Sequence, residues 1–364
     1  MIYKQYGNTG IKVSAIGMGC MRFNEKDIKA NNLSKCAEVV LYAHDKGINY
    51  FDTAPFYCLD RSEIVTGIAL SQLPRNSYYI SSKTNINTLK NDATGDSFRR
   101  RLELSLKRLK VDYLDFYHLW NILTFESFES QYSKLYKHFE KAKEEGLIKH
   151  IVMSSHMHGE DLEDAINTSK FDGVLLGYNI LNYRFRQKGI ELANKKGMGV
   201  AVMNPLSGGV IVRNPDVFNF IKENTNLNIA QAALRFVASH KEISVVLNGC
   251  SEMSHVDDAI KSVENLEENP MNLICAEYEK RGVSLNNLCT GCGYCNYCPK
   301  GIEIPKLMDA YNYKLLNNSI VTRLRNHWHI SPKAARGCIE CGKCEKLCTQ
   351  HLPIIERLKE IASL

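Results

Sequence analysis

Eight short apolar runs recur between about residues 15 and 265: AIGMG, INYFD, YYISS, DYLDFYHL, IKHIVM, GVLLGYN, MGVAVM and ISVVL. Each is followed by an amphipathic stretch or by a connection leading to one. Strands that alternate with helical patterns predict an α/β fold with a parallel sheet, and eight such units fit a closed (β/α)8 barrel of the TIM type better than an open sheet. Ahead of them, Ile2 to Tyr6 and Lys12 to Ser14 flank Gly7-Asn8-Thr9-Gly10, a hairpin signal in which glycine and asparagine supply the turn conformations. Ser34 marks the start of a helix that Gly47 stops, and a long helical pattern from Phe128 to Glu145 stops at Gly146.

The last quarter of the chain carries eight of its thirteen cysteines in two tight runs. They are Cys289-x2-Cys292-x2-Cys295-x2-Cys298-Pro299 and Cys338-x2-Cys341-x2-Cys344-x3-Cys348. Thiolates spaced by two residues turn around one cubane, and in two-cluster ferredoxins the fourth cysteine of each run crosses to the other cluster. The expectation is one [4Fe–4S] cluster on Cys289, Cys292, Cys295 and Cys348, and a second on Cys338, Cys341, Cys344 and Cys298. A four-thiolate zinc site would leave the third and fourth cysteines of each run in excess. Two departures stand out: the first run closes on a two-residue gap where three is usual, and Thr349 stands where proline is usual. Between the runs, IPKLMDAYNYKLL is apolar at helical spacing. The expected organisation is a barrel over 1–265, a connector over 266–287 and a small ferredoxin-like iron–sulfur domain over 288–364.

The chain has 364 residues, of which 44% are apolar, enough for more than one core. Its start lacks the apolar core of a secretory signal, and no stretch approaches the ~18 apolar residues of a membrane span. A cytoplasmic protein in a reducing, anoxic setting is expected, with no membrane partner. The net charge of +6 is too diffuse to argue for nucleic acid, and the basic stretch Arg99-Arg100-Arg101, Lys107, Arg108, Lys110 reads as a solvated helix face. Cys20, Cys36, Cys58, Cys250 and Cys275 read mostly as small buried hydrophobes.

In a barrel of this kind the active site collects at the C-terminal ends of the strands. The second run ends Phe51-Asp52-Thr53-Ala54-Pro55-Phe56-Tyr57, and the third ends Ser81-Ser82-Lys83. Tyrosine, with an ordinary pKa of ~10, is a poor acid at neutral pH until a nearby cation stabilises its phenolate. Lys83 can supply that charge, Asp52 can pair with the lysine, and Tyr57 can then act as a general acid.

With Asp52, Tyr57, Ser62-Glu63, Gly67 and Lys83 so spaced, the chain resembles the aldo-keto reductases, and its cysteine region resembles the module of iron–sulfur aldo-keto reductases of anaerobes. The resemblance implies an oxidoreductase performing hydride chemistry on a carbonyl or alcohol of a small-molecule substrate. It implies NAD(P)H as a cofactor and clusters that exchange electrons with a ferredoxin or flavodoxin. In Asp112-Tyr113-Leu114-Asp115-Phe116-Tyr117-His118-Leu119-Trp120, Trp120 falls where the family has a substrate-orienting histidine. His118 lies two residues earlier, on the same side of a strand and about 6.6 Å away.

The resemblance also offers cofactor residues. Gly17, Met18, Gly19, Met21 and Arg22 match the mouth of the first strand; Ser154 and Ser155, before His156, match a segment holding the nicotinamide carboxamide, as does Tyr178-Asn179. Pro205, Leu206, Ser207, Gly208 and Gly209 match the loop that wraps the pyrophosphate, and Gly249, Cys250 and Ser251 follow the eighth strand. Leu175 replaces a frequent glutamine, and no Arg or Lys between Gly249 and Asp258 awaits a 2′-phosphate. His156 and His158 lack a third partner in sequence, so no metal is assigned there. Two other readings stay open: a barrel without reductase activity serving as an electron-transfer or cluster-carrying partner, and elimination or isomerisation using Tyr57 and Lys83.

Overall fold

The structure is a computed structural model that describes residues 1–157, 159–168, 170–222, 225–266, 271–280, 287–316 and 318–364. His158 and residues 267–270 and 281–286 of the 266–287 connector therefore lie outside the described residues. Strands β1 (Tyr3–Gln5) and β2 (Lys12–Ser14) pair antiparallel as the N-terminal hairpin. Eight parallel strands follow: β3 (Ile16–Gly19), β4 (Tyr50–Asp52), β5 (Tyr79–Thr84), β6 (Leu114–Ile122), β7 (Ile148–Ser155), β8 (Gly173–Gly177), β9 (Gly199–Met203) and β10 (Val245–Asn248). They close in chain order, with β10 hydrogen-bonded to β3. Every apolar run expected to be a strand contributes one.

The hairpin matters because of Tyr6, which is fully buried in a cluster with Val13, Tyr50, Phe116, Val152, Leu175, Ala201, Val245 and Leu247. Its ring centroid lies 4.6 Å from that of Phe116 and 6.1 Å from that of Tyr50. Two strand-opening glycines make the room: a Cβ on Gly199 would meet Tyr6 Cδ1 at 2.1 Å, and one on Gly173 would meet its Oη at 2.6 Å. The rings form the floor of the barrel, and each fully buried large side chain contributes about 1.5–3 kcal/mol.

Helix starts depart from expectation for local reasons. The first long helix is Leu33–Asp45, so Ser34 lies inside its first turn and Asn32 precedes it. The expected Phe128 start moves to Phe125, because Thr124 and Ser127 form a reciprocal capping box that satisfies two otherwise orphaned N–H groups.

The chain folds as two compact units, Met1–Pro205 with Ile221–Ile274, and Leu206–Phe220 with Cys275–Leu364. The second is built on helices Ile304–Leu315 and Ile354–Ala362, whose buried Ile304, Leu307, Met308, Ile354, Leu358 and Ile361 form one core with Cys289, Cys295 and Cys348. Among the described residues no helix is long and apolar enough to cross a membrane.

Candidate active site and cluster cysteines

Strand alternation sets the barrel site. Tyr50, Phe116 and Val152 point into the interior, so Asp52, His118 and Ser154, each two residues further along, share that face one layer higher. Asp52 pairs with Ser81 across β4–β5, and Lys83 with His118 across β5–β6. The Lys83 ammonium, 1% exposed, donates to Asp52 Oδ2 at 2.5 Å and to the Thr53 carbonyl at 2.8 Å. Ser81 Oγ donates to the other Asp52 oxygen at 2.6 Å. Burial pushes the Lys83 pKa down while Asp52 opposes that shift. Lys83 Nζ lies 5.2 Å from the centroid of the Tyr57 ring, and that ring meets Trp120 edge-on at 5.7 Å and 86°.

Tyr57 sits on a turn with unusual backbone. Phe56, Cys58, Leu59 and Asp60 have φ of 68°, 52°, 56° and 63°, the left-handed region that side chains with a Cβ avoid. Asp60 holds the turn: it accepts the Phe56 N–H at 3.1 Å and takes Arg108 bidentately at 2.8 and 2.7 Å. Arg108 and Arg101 also donate to the buried Glu63, at 3.2 and 3.1 Å, and Ser82 Oγ donates to that carboxylate at 2.7 Å. The basic stretch is thus not simply a solvated face. Two of its arginines neutralise a carboxylate buried on the helix Ser62–Leu70, because an unpaired charge there would be costly. No pattern along the helix Gly95–Leu109 announces this, since the partners lie 38 to 48 residues away.

His118 is fully buried, and neither ring nitrogen has a hydrogen-bond partner among the described residues. Burial, with a smaller contribution from Lys83, holds its pKa well below the usual histidine value, so the ring is neutral at pH 7. It lies at the level of Lys83, while Trp120 lies further along the strand against Tyr57.

The cysteines gather in the crossed sets. Cys298, Cys338, Cys341 and Cys344 line one small pocket together with Ile302, Ile304 and Leu358 among others. Cys289, Cys292 and Cys348 all act electrostatically on Cys295. Burial pushes the Cys289 and Cys295 thiols up to about 12. Among the described residues no three His, Cys, Asp or Glu groups converge closely enough for a single ion. In the second set four thiols line one pocket, the ligand number a [4Fe–4S] cluster takes.

Residues 15–276 match the model of the aldo/keto reductase family, and residues 288–353 match a 4Fe-4S dicluster domain. The chain belongs to the aldo/keto reductase family. This aldo-keto reductase is an oxidoreductase with an iron–sulfur domain after its barrel. It is 28% identical over 299 residues to an L-galactose dehydrogenase of Arabidopsis thaliana, a match covering 73% of this chain and 89% of the relative. It is 26% identical over 221 residues to an NADH-specific methylglyoxal reductase of Escherichia coli, covering 56% and 67%. In fold it is similar to an aldo-keto reductase from Bacillus halodurans in its holo form, with a TM-score of 0.62, 23% identity, and 77% and 96% of the two chains covered. It is likewise similar to one from Klebsiella pneumoniae solved with NADPH, with a TM-score of 0.61, 21% identity, and 77% and 95% covered.

The residues offered for a dinucleotide divide into two groups. Ser154 Oγ is buried on the interior face with no hydrogen-bond partner among the described residues, which suits a carboxamide contact. Gly19 ends β3, Met21 and Arg22 follow it, and Arg22 lies across Gly249, where an added Cβ would meet its Cβ and Cγ at 3.1 Å. Other positions are engaged within the chain. Ser155 Oγ accepts the Met157 N–H at 3.0 Å, and Asn179 spends its amide on the Asn204 carbonyl and the Leu181 N–H. Tyr178 is buried with its hydroxyl 3.0 Å from His240 Nε2, and Ser251 Oγ lies 3.3 Å from His255 Nδ1.

The loop after β9 departs furthest. Pro205 is buried, Leu206 accepts the Gly209 N–H at 2.9 Å, and Gly208 has φ of 63°. A Cβ on Gly208 would lie 1.8 Å from the Thr290 carbonyl oxygen. The chain's own packing requires that glycine.

Proposed function

We propose that the barrel carries out hydride chemistry on a carbonyl or alcohol of a small molecule, and that two [4Fe–4S] clusters pass single electrons to or from a ferredoxin or flavodoxin. One observation carries the barrel half: a buried, carboxylate-paired ammonium 5.2 Å from the Tyr57 ring. That charge favours the phenolate, so the Tyr57 hydroxyl gives up its proton more readily to a developing alkoxide, the general-acid role. Asp52 and the Thr53 carbonyl keep Lys83 in place against the effect of burial. Trp120 walls the site and orients the Tyr57 ring. A nicotinamide dinucleotide supplies the hydride when bound, and Ser154, Gly19, Met21, Arg22 and Gly249 are the residues best placed to hold it.

Cys289, Cys292, Cys295 and Cys348 would hold one cluster, and Cys338, Cys341, Cys344 and Cys298 the other; such centres supply one-electron transfer. Residues 1–265 would then serve as the reductase part and 288–364 as the electron-transfer part. Thirteen cysteines, eight of them in cluster-type runs, favour the cytoplasm of an anaerobe.

A second reading rests on Gly208, whose Cβ direction is taken by the Thr290 carbonyl, and on Asn179, whose amide is used within the chain. In it the barrel takes no dinucleotide, and the protein either carries clusters for another enzyme or uses Tyr57 and Lys83 for elimination or isomerisation. Titrating the anaerobic holoprotein with NADH and NADPH separates the two. Saturable binding with reoxidation in the presence of an aldehyde supports the reductase, and no binding of either nucleotide supports the second reading. Trp120→His, which restores the residue expected at that position, should raise the reduction of simple aldehydes if the site is a modified reductase.

A further inference from the structure

Beside the first cysteine set lies a cation with an unused donor. Arg357, on the helix Ile354–Ala362, is 3% exposed, and its buried Nη1 has no hydrogen-bond partner among the described residues. Its guanidinium lies 4.7 Å from the centroid of the Tyr311 ring, and the Tyr311 hydroxyl donates to Glu360 at 2.6 Å. The ring contact fixes the guanidinium but leaves Nη1 unsatisfied. Tyr311 and Leu358, which flank the guanidinium, pack in the core that contains Cys289, Cys295 and Cys348, and Asn312, next to Tyr311, accepts the Cys289 N–H and donates to the Cys289 carbonyl, both at 2.8 Å. Arginine is almost never buried unless paired. Here the core around it holds thiols, which become anionic when they ligate metal.

We infer that Arg357 donates a hydrogen bond through Nη1 to the sulfur shell of the cluster held by Cys289, Cys292, Cys295 and Cys348, and so raises the reduction potential of that cluster. Reduction adds one electron and one negative charge to such a centre, with no proton required. A fixed cation and a charge-assisted hydrogen bond therefore stabilise the reduced form more than the oxidised form. Cys341 of the other set is exposed, so water contributes more of the screening there. Arg357 is thus a tuning residue for one centre.

The inference rests on the two-cluster reading, and the test separates them. Potentiometric titration of the anaerobic full chain, with dithionite as reductant and EPR as readout, gives a midpoint for each centre. Arg357→Met should lower one midpoint by about tenfold in the reduction equilibrium, about 59 mV for a one-electron couple, and leave the other in place. The displaced centre should be the one whose signal changes in Cys292→Ser. Unmoved midpoints in a variant with its full iron content, or displacement of the centre altered by Cys341→Ser, would overturn the inference. If Arg357→Met does not assemble both clusters, Arg357→Lys decides, since it keeps the charge and loses the planar fork. A lowered midpoint for the same centre then supports the assignment, and a wild-type value overturns it. Wild-type protein without acid-labile sulfide would instead overturn the cluster reading beneath.

Discussion

Lys83 is buried at the level where the floor of aromatic rings gives way to polar groups, and its charge is tolerable only because Asp52 and the Thr53 carbonyl accept from it. Removing one partner of such a pair typically destabilises by about 3–5 kcal/mol, so Tyr57→Phe is the cleaner probe of chemistry. It should lower turnover by about 10²–10⁴-fold, the usual contribution of a positioned acid, and leave dinucleotide binding nearly unchanged. Lys83→Met should lower turnover similarly, and the double variant should lose little more, as for residues acting as a unit. Full activity of Tyr57→Phe on an identified substrate would falsify the acid role.

His118 makes a pH prediction. Its folded pKa is depressed, so below about pH 6.5 the unfolded chain takes up a proton that the folded protein refuses, and stability falls as pH falls. His118→Leu should remove up to about 1.4 kcal/mol per pH unit of that loss. Urea melts at pH 7 and pH 5 measure it, and equal losses in both proteins would mean that the folded histidine is protonated or paired.

At the scale of elements, two connections decide more than the strands they join. The turn carrying Tyr57 keeps its left-handed residues because the helix Gly95–Leu109 sends Arg108 to Asp60. The loop after β9 is held in the second unit, where Gly208 lies against Thr290, Arg213 approaches Asp309 at 4.0 Å and Phe220 packs near Tyr278. Gly208→Ala adds a methyl where none fits, an overpacking worth about 1–3 kcal/mol, at a backbone angle that disfavours alanine by about 1–2 kcal/mol. The expected result is a lower melting temperature when unfolding is followed through cluster absorbance. Unchanged melting with weaker dinucleotide binding would show instead that the glycine serves a pyrophosphate.

On the scale of the whole molecule, the barrel supplies a large apolar core, while the second unit buries thiols among its aliphatic residues. Small units of that kind commonly depend on metal for stability. Anaerobically prepared protein should contain about eight irons and eight acid-labile sulfides; bound zinc without sulfide would exclude the cluster assignment. Cys298→Ala should damage the centre whose other ligands are Cys338, Cys341 and Cys344, because those four share a cavity. Loss of only the Cys289, Cys292 and Cys295 signal in EPR would show that the ligands do not cross.

The barrel, the hairpin and the two cysteine sets were legible in the sequence because each is written locally: apolar runs of strand length, glycines at a turn, thiols two residues apart. Asp52, Tyr57 and Lys83 were legible as candidates because each follows or ends such a run, where a closed parallel barrel collects its polar groups. Closure itself decided the rest. It set Ser154 facing inward and turned Ser155 to its own backbone, put His118 beside Lys83, and brought Arg101 and Arg108 to Glu63. Folding of the second unit set Gly208 against Thr290 and laid the Arg357 guanidinium over Tyr311, in the core that holds Cys289, Cys295 and Cys348. These partners are far apart in the chain, and no residue pattern encodes which buried charge will meet which. Their pairing follows from the requirement that a charge withdrawn from water find a counter-charge within reach, and reach is a property of the folded chain.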